Sequence, residues 1–161
     1  MPISVASRPR ARGLAVPLRA LVRMVLAGEG RRPGEIGIVL ADDLTLRRLN
    51  HRHRGIDRAT DVLSFGYEDG SRAGVAGVSG DIVISLERMV EQSRRYRVSR
   101  GRELARLVIH GALHLAGLDH QRAAERRVMR RREERALEGS RGAIRALDRS
   151  LRLDRYLRGD L

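Results

Sequence analysis

Residues 110–120 read HGALHLAGLDH, and no other stretch restricts the chain as tightly. Three of the five histidines fall in it, at positions n, n+4 and n+10. Positions four apart on an α-helix lie on one face with Cβ atoms about 5–6 Å apart, so His110 and His114 can aim both imidazoles at one ion held about 2.0–2.1 Å from each nitrogen. Gly117 is placed to take the left-handed conformation that ends a helix. His120 then returns as a third ligand. Three neutral imidazoles leave the fourth tetrahedral position open, which marks a catalytic rather than a structural zinc site. Zinc in such a site lowers the pKa of bound water to about 7. The competing account treats His110 and His114 as satisfied core residues and His120 as a loop residue.

Composition narrows the ligand chemistry. The chain has no cysteine, which excludes disulfides, a disulfide-linked partner, thiolate zinc sites and a cysteine nucleophile. Any metal falls to histidine and carboxylate. At 161 residues one domain is expected, and with aromatics at 2% its core must come from Leu, Val, Ile, Ala and Met. No apolar run approaches the roughly 18 residues that cross a membrane, so no membrane partner is expected. All 33 basic residues are Arg against 20 acidic ones, a net charge of +13. Arginine's planar fork suits phosphate oxygens, so the surplus points to a polyanionic partner. The scarcity of aromatics argues against base-stacking platforms, leaving phosphate contacts as the main mode of binding. A cytoplasmic location is expected. The acid-free, arginine-bearing start before Glu29 has transit-peptide character and makes an organelle the alternative.

Periodicity supplies the elements. A short strand at Ile3–Val5 precedes a helix over Leu14–Leu26, and the β-branched run Glu35–Ala41 reads as a buried strand. Asp42 or Asp43 can cap a following helix that carries Leu44, Leu46 and Leu49. The polar stretch Asn50–Thr60 reads as a loop, Asp61–Tyr67 as a strand, and the Gly-rich segment Glu68–Gly80 as a flexible loop. A strand at Asp81–Ser85 and a helix over Leu86–Tyr96 follow. Ser99 opens the helix that carries His110 and His114 and runs through Leu115. A last clear helix covers Gln121–Leu137, with Arg and Glu interleaved at supporting spacing. From Gly139 the chain is Arg-rich, with Ile144, Leu147 and Leu151 only weakly helical in period. The expectation is an α+β fold: one domain over residues 1–138, a small mixed sheet with helices packed on it and a three-His metal site at the end of a central helix, followed by an Arg-rich tail over 139–161.

The His spacing equals that of the metzincin pattern H-E-x-x-H-x-x-G-x-x-H, but Gly111 stands where that pattern has its general-base Glu. A metallopeptidase is therefore disfavoured. The matching residues extend further: Leu49-Asn50, Arg54-Gly55, the run Thr60 to Phe65, the run Gly80 to Ser85, Glu103 ahead of the histidines, and Met129 with Glu133 after them. On these the chain resembles the YbeY family over approximately residues 35–137. Ala59 and Gly66 depart from it, each standing where the family usually has Pro.

The resemblance implies a zinc-dependent, single-strand-directed endoribonuclease of rRNA maturation and ribosome quality control, with one Zn2+ per chain and with rRNA and the small ribosomal subunit as partners. It implies His110, His114 and His120 as metal ligands and Arg54 as the functional Arg, able to hold a phosphate bidentately as charge develops. The nucleophile is left open between metal-bound water and an activated ribose hydroxyl. His51 and His53, beside Arg54, are candidates for RNA contact, against the simpler account of exposed loop histidines. Asp119 either orients a ligand His or caps the turn. The alternative function is a metal-stabilised RNA-binding assembly factor without turnover.

Overall fold

A computed structural model describes residues 3–7, 13–67 and 77–153. The run EIGIVLA forms most of β2 (Pro33–Ala41), whose alternate residues Ile36, Ile38 and Leu40 are buried on one face. It pairs in parallel with β1 (Ile3–Ser7) and with β4 (Val78–Ser85), and β4 pairs antiparallel with β3 (Val62–Gly66). The sheet order is β1-β2-β4-β3, so the expected mixed sheet is present.

The two sheet faces bury two clusters. On one, Ile36, Ile38, Ile82 and Ile84 meet α1 (Ala15–Gly28), α3 (Leu86–Arg95) and α4 (Arg100–Leu115). On the other, Val83 and Leu63 meet Leu46 of α2 (Asp43–Arg54). The buried hydrophobic residues are all aliphatic or methionine, as the composition requires. Leu104, Leu107, Val108, Ile109 and Ala112 of α4 are inaccessible, so this helix is the spine of the larger cluster.

Local chemistry sets the helix ends. The Asp42 side chain accepts the Thr45 N–H at 2.8 Å and caps α2, and these bonds with Thr45 hold its carboxyl below the usual carboxylate range. Ser99 caps α4 by accepting the Arg102 N–H at 3.1 Å. The expected loop over Asn50–Thr60 starts too early: α2 continues to Arg54 and stops at Gly55, whose φ is +69°. Only Leu46 and Asn50 of this helix are buried, which is why its second half reads as polar loop. Likewise Val78, Ser79 and Gly80 belong to β4, paired through Gly66 and Gly80, rather than to a loop. The rest of that expected loop, residues 68–76, lies outside the described residues.

One further expectation changes. α5 (Ala123–Glu138) forms where expected, and on it Arg130 and Glu134 stand four apart with the Arg first, the weaker of the two supporting orientations. The boundary after residue 138 does not hold. Residues Arg141–Leu153 form α6, which packs on α4 and α1 and buries Leu147 and Leu151 in the main cluster. Residues 154–161 lie outside the described residues.

Candidate metal centre

The histidine segment ends α4 as its spacing requires. The Gly117 N–H donates to His114 O at 3.0 Å and the Leu118 N–H to Leu113 O at 3.1 Å, the paired bonds of a Schellman turn. Gly117 sits at φ +106°, a conformation that a side chain would strain. Leu118 packs back on the core, and Arg31 Nη1 donates to Ala116 O at 3.1 Å, so the turn is tied from two sides.

This turn places the ligand atoms of His114, Asp119 and His120 all within 4.8 Å of one another. The His110 ring lies beside them, its centroid 5.3 Å from that of His120, while His114 and His120 are 5.7 Å apart. His110 falls outside the tightest group, and its Nδ1 lies 2.5 Å from Glu133 Oε1 of α5. An ionised carboxylate only accepts, so Nδ1 carries the proton and Nε2 keeps the free lone pair that a metal needs. Burial, and then the neighbouring His120, His110 and Arg54 charges, lower the His114 pKa against a smaller opposing effect of Asp119. The imidazole is thereby kept neutral, the form that binds metal. The donor set fits a divalent cation of the borderline type, two or three nitrogens with one carboxylate oxygen.

Asp119 takes the turn-bracing place and adds another. Its Oδ1 accepts the His120 N–H at 2.7 Å, which braces the turn, and its carboxylate also stands among the candidate donors. That second placement is not visible from the sequence, where Asp119 reads only as an orienting or capping residue. Glu133 matches the family pattern in sequence, but its partner His110 is 23 residues away and no spacing rule connects them. Behind α4, the buried Glu103 accepts from Arg106 at 2.5 Å, and Arg106 also faces Asp61 at 3.8 Å, joining the residue just before β3 to the metal helix. Glu133→Ala is expected to weaken metal affinity by roughly 10–100-fold, the usual cost of losing a carboxylate that orients a ligand His. Competition against a chromophoric chelator measures it; an unchanged affinity would show that Glu133 is only a packing partner.

Arg54 is the last residue of α2, exposed, with no hydrogen bond or ion pair among the described residues. Its charge reaches His114, so the fold brings it to the same side of the molecule. It also lines an open groove of about 810 Å³ with Asn50, Arg58 and Thr60. Asn50 Nδ2 donates to Arg58 O at 2.9 Å and folds the following loop against the helix. His51 and His53 sit in the last turn of α2 rather than in a loop. The His53 ring packs 4.8 Å from Phe65, and His51 faces Asp57.

A mixed sheet that supports one helix, whose end gathers imidazoles and a carboxylate beside a free guanidinium, defines a metal-binding hydrolase built for an anionic substrate. A model of the Endoribonuclease YbeY family matches residues 15–141, and the chain belongs to that family. It is 43% identical over 126 residues to Endoribonuclease YbeY of Desulforamulus reducens, covering 75% of this chain and 82% of that one. It is 50% identical over 111 residues to Endoribonuclease YbeY of Roseiflexus sp. (strain RS-1), covering 65% and 69%. The solution structure of TM1509 from Thermotoga maritima matches with a TM-score of 0.61 at 26% identity, over 89% of this chain and 92% of that chain. None of the helices among the described residues is long and apolar enough to cross a membrane.

Proposed function

We propose that this chain is a zinc-dependent endoribonuclease that cleaves single-stranded RNA during maturation and quality control of rRNA, with one ion per chain held by His110, His114 and His120. The observation that carries the reading is the gathering of His114, Asp119 and His120 within 4.8 Å at a braced helix end, with His110 beside them and Arg54 in electrostatic reach. A bound divalent ion supplies Lewis acidity toward water, a ribose hydroxyl or a phosphoryl oxygen. The chain's own residues do the rest. Arg54 offers a two-pronged donor to a phosphodiester and stabilises charge that develops on its oxygens. Glu133 fixes the tautomer of His110, and the Gly117 turn fixes the approach of His120. The small ribosomal subunit follows as the partner in this reading, through its rRNA.

Gly111 separates this reading from peptide hydrolysis. A zinc peptidase of matching His spacing uses a Glu at that position, and here it has no side chain. The deciding experiment is elemental analysis of the purified protein beside cleavage of a labelled single-stranded RNA, with and without chelator. The expected result is stoichiometric zinc and cleavage that chelation stops and zinc restores. Stoichiometric metal without cleavage would overturn the enzyme reading in favour of a binding factor.

A further inference from the structure

The family match ends at Arg141, and α6 lies beyond it. The exposed residues of this helix are Arg141, Gly142, Arg145, Arg149 and Arg152. The four arginines recur at steps of four, four and three, which places them on one stripe with axial spacings of about 6, 6 and 4.5 Å. Its one acidic residue, Asp148, is half-buried against α4, accepting the Gly101 N–H at 2.7 Å. Arg141, Arg145 and Arg149 have no hydrogen-bond or ion-pair partner among the described residues.

This arrangement breaks two local rules. Like charges four apart repel on a helix, and Arg141 puts a cation at the positive end of the helix dipole, where the first turn has no acid. Violations of local consistency concentrate where function requires them. The opposite face of α6 excludes one explanation. Leu147 and Leu151 are buried in the core, so the helix has no free apolar face to lay into a bilayer. What remains is a row of guanidinium forks in water.

We propose that the α6 stripe is a second RNA-binding surface, which grips the phosphate backbone of a long RNA away from the metal centre. Asp148 fastens α6 to the start of α4 at Gly101, and His114 lies about 20 Å further along the α4 axis. An RNA long enough to reach both touches the stripe; a short oligonucleotide at the metal centre does not. The proposal rests on the endoribonuclease reading for its choice of polyanion, and its test separates the two.

The test compares the full-length protein with the triple variant Arg141→Gln, Arg145→Gln, Arg149→Gln. Gln is a good helix former on an exposed face, and circular dichroism with thermal melting checks the fold. Binding of a long fluorescein-labelled RNA is followed by anisotropy across a potassium chloride series. A control triple variant, Arg127→Gln, Arg131→Gln, Arg135→Gln, removes the same charge from exposed positions of α5. The α6 variant is expected to bind about tenfold or more weakly, with a log–log salt slope shallower by about 2–3, the slope carried by three phosphate contacts. Its cleavage of a short oligonucleotide should stay at the wild-type rate. Equal losses in the α5 control, or an unchanged α6 variant, would overturn the proposal. So would loss of binding to phosphatidylserine vesicles with RNA affinity intact. Wild-type protein that grips long RNA through the stripe and cleaves none refutes the endoribonuclease reading and leaves this surface established.

Discussion

His114→Ala is expected to empty the metal centre and to reduce RNA cleavage by about three orders of magnitude or more, beyond the roughly 10–100-fold cost of losing an orienting residue. His114 is the group most enclosed by other candidate ligands: it shares its helix face with His110 and lies within 4.8 Å of His120 and Asp119 at their donor atoms. The helix should survive, because Ala is the best helix former and the caps at Ser99 and Gly117 do not involve this side chain. Elemental analysis, circular dichroism and a cleavage assay on the same preparation read all three quantities. Retained metal stoichiometry with retained cleavage would sink both the ligand assignment and the proposed activity.

Gly111→Glu, the substitution that would complete the peptidase pattern, is expected to destabilise the protein strongly rather than to create a peptidase. A Cβ at position 111 would sit 2.7 Å from Ile82 Cγ2 and 3.2 Å from Ile82 Cγ1, because α4 lies directly on β4 there. Overpacking of this kind costs about 1–3 kcal/mol. A carboxylate buried beside Ile82 without a partner adds a further few kcal/mol. Against a total stability of about 5–15 kcal/mol, that lowers the melting temperature by roughly 10 °C or leaves the chain insoluble. Gly111→Ala isolates the steric part, offset by about 1 kcal/mol of helix propensity. A soluble Gly111→Glu protein with an unchanged melting temperature would show that the close approach is readily relieved.

Much of this fold is legible in local sequence. Alternation in EIGIVLA and the apolar spacing of LVIHGALHL survive tertiary context because both segments are buried where their periods say. The end of α2 was not legible, since after Leu49 and the buried Asn50 its last turn is His51, Arg52, His53 and Arg54, all exposed. α6 was hidden for a related reason. Its apolar residues Ile144, Leu147 and Leu151 keep helical spacing, but the arginines between them suggest a solvated tail. At the metal centre, His114, His120 and the Gly117 turn follow from an eleven-residue pattern. The hydrogen bond from His110 to Glu133 and the nearness of Arg54 depend on how α5 and α2 dock, which no local spacing encodes.

The Schellman turn at Gly117 has a consequence for the site's lifetime. Every candidate ligand lies within residues 110–120, on the last turns of the most buried helix and the exposed segment just after it. Hydrogen exchange in proteins proceeds through local openings whose free energies range from near zero at exposed ends up to the global value in the core. By this rule the backbone at His110 and His114 is expected to open last and that at Asp119 and His120 first, so amide hydrogen exchange should show protection falling across the Gly117 turn.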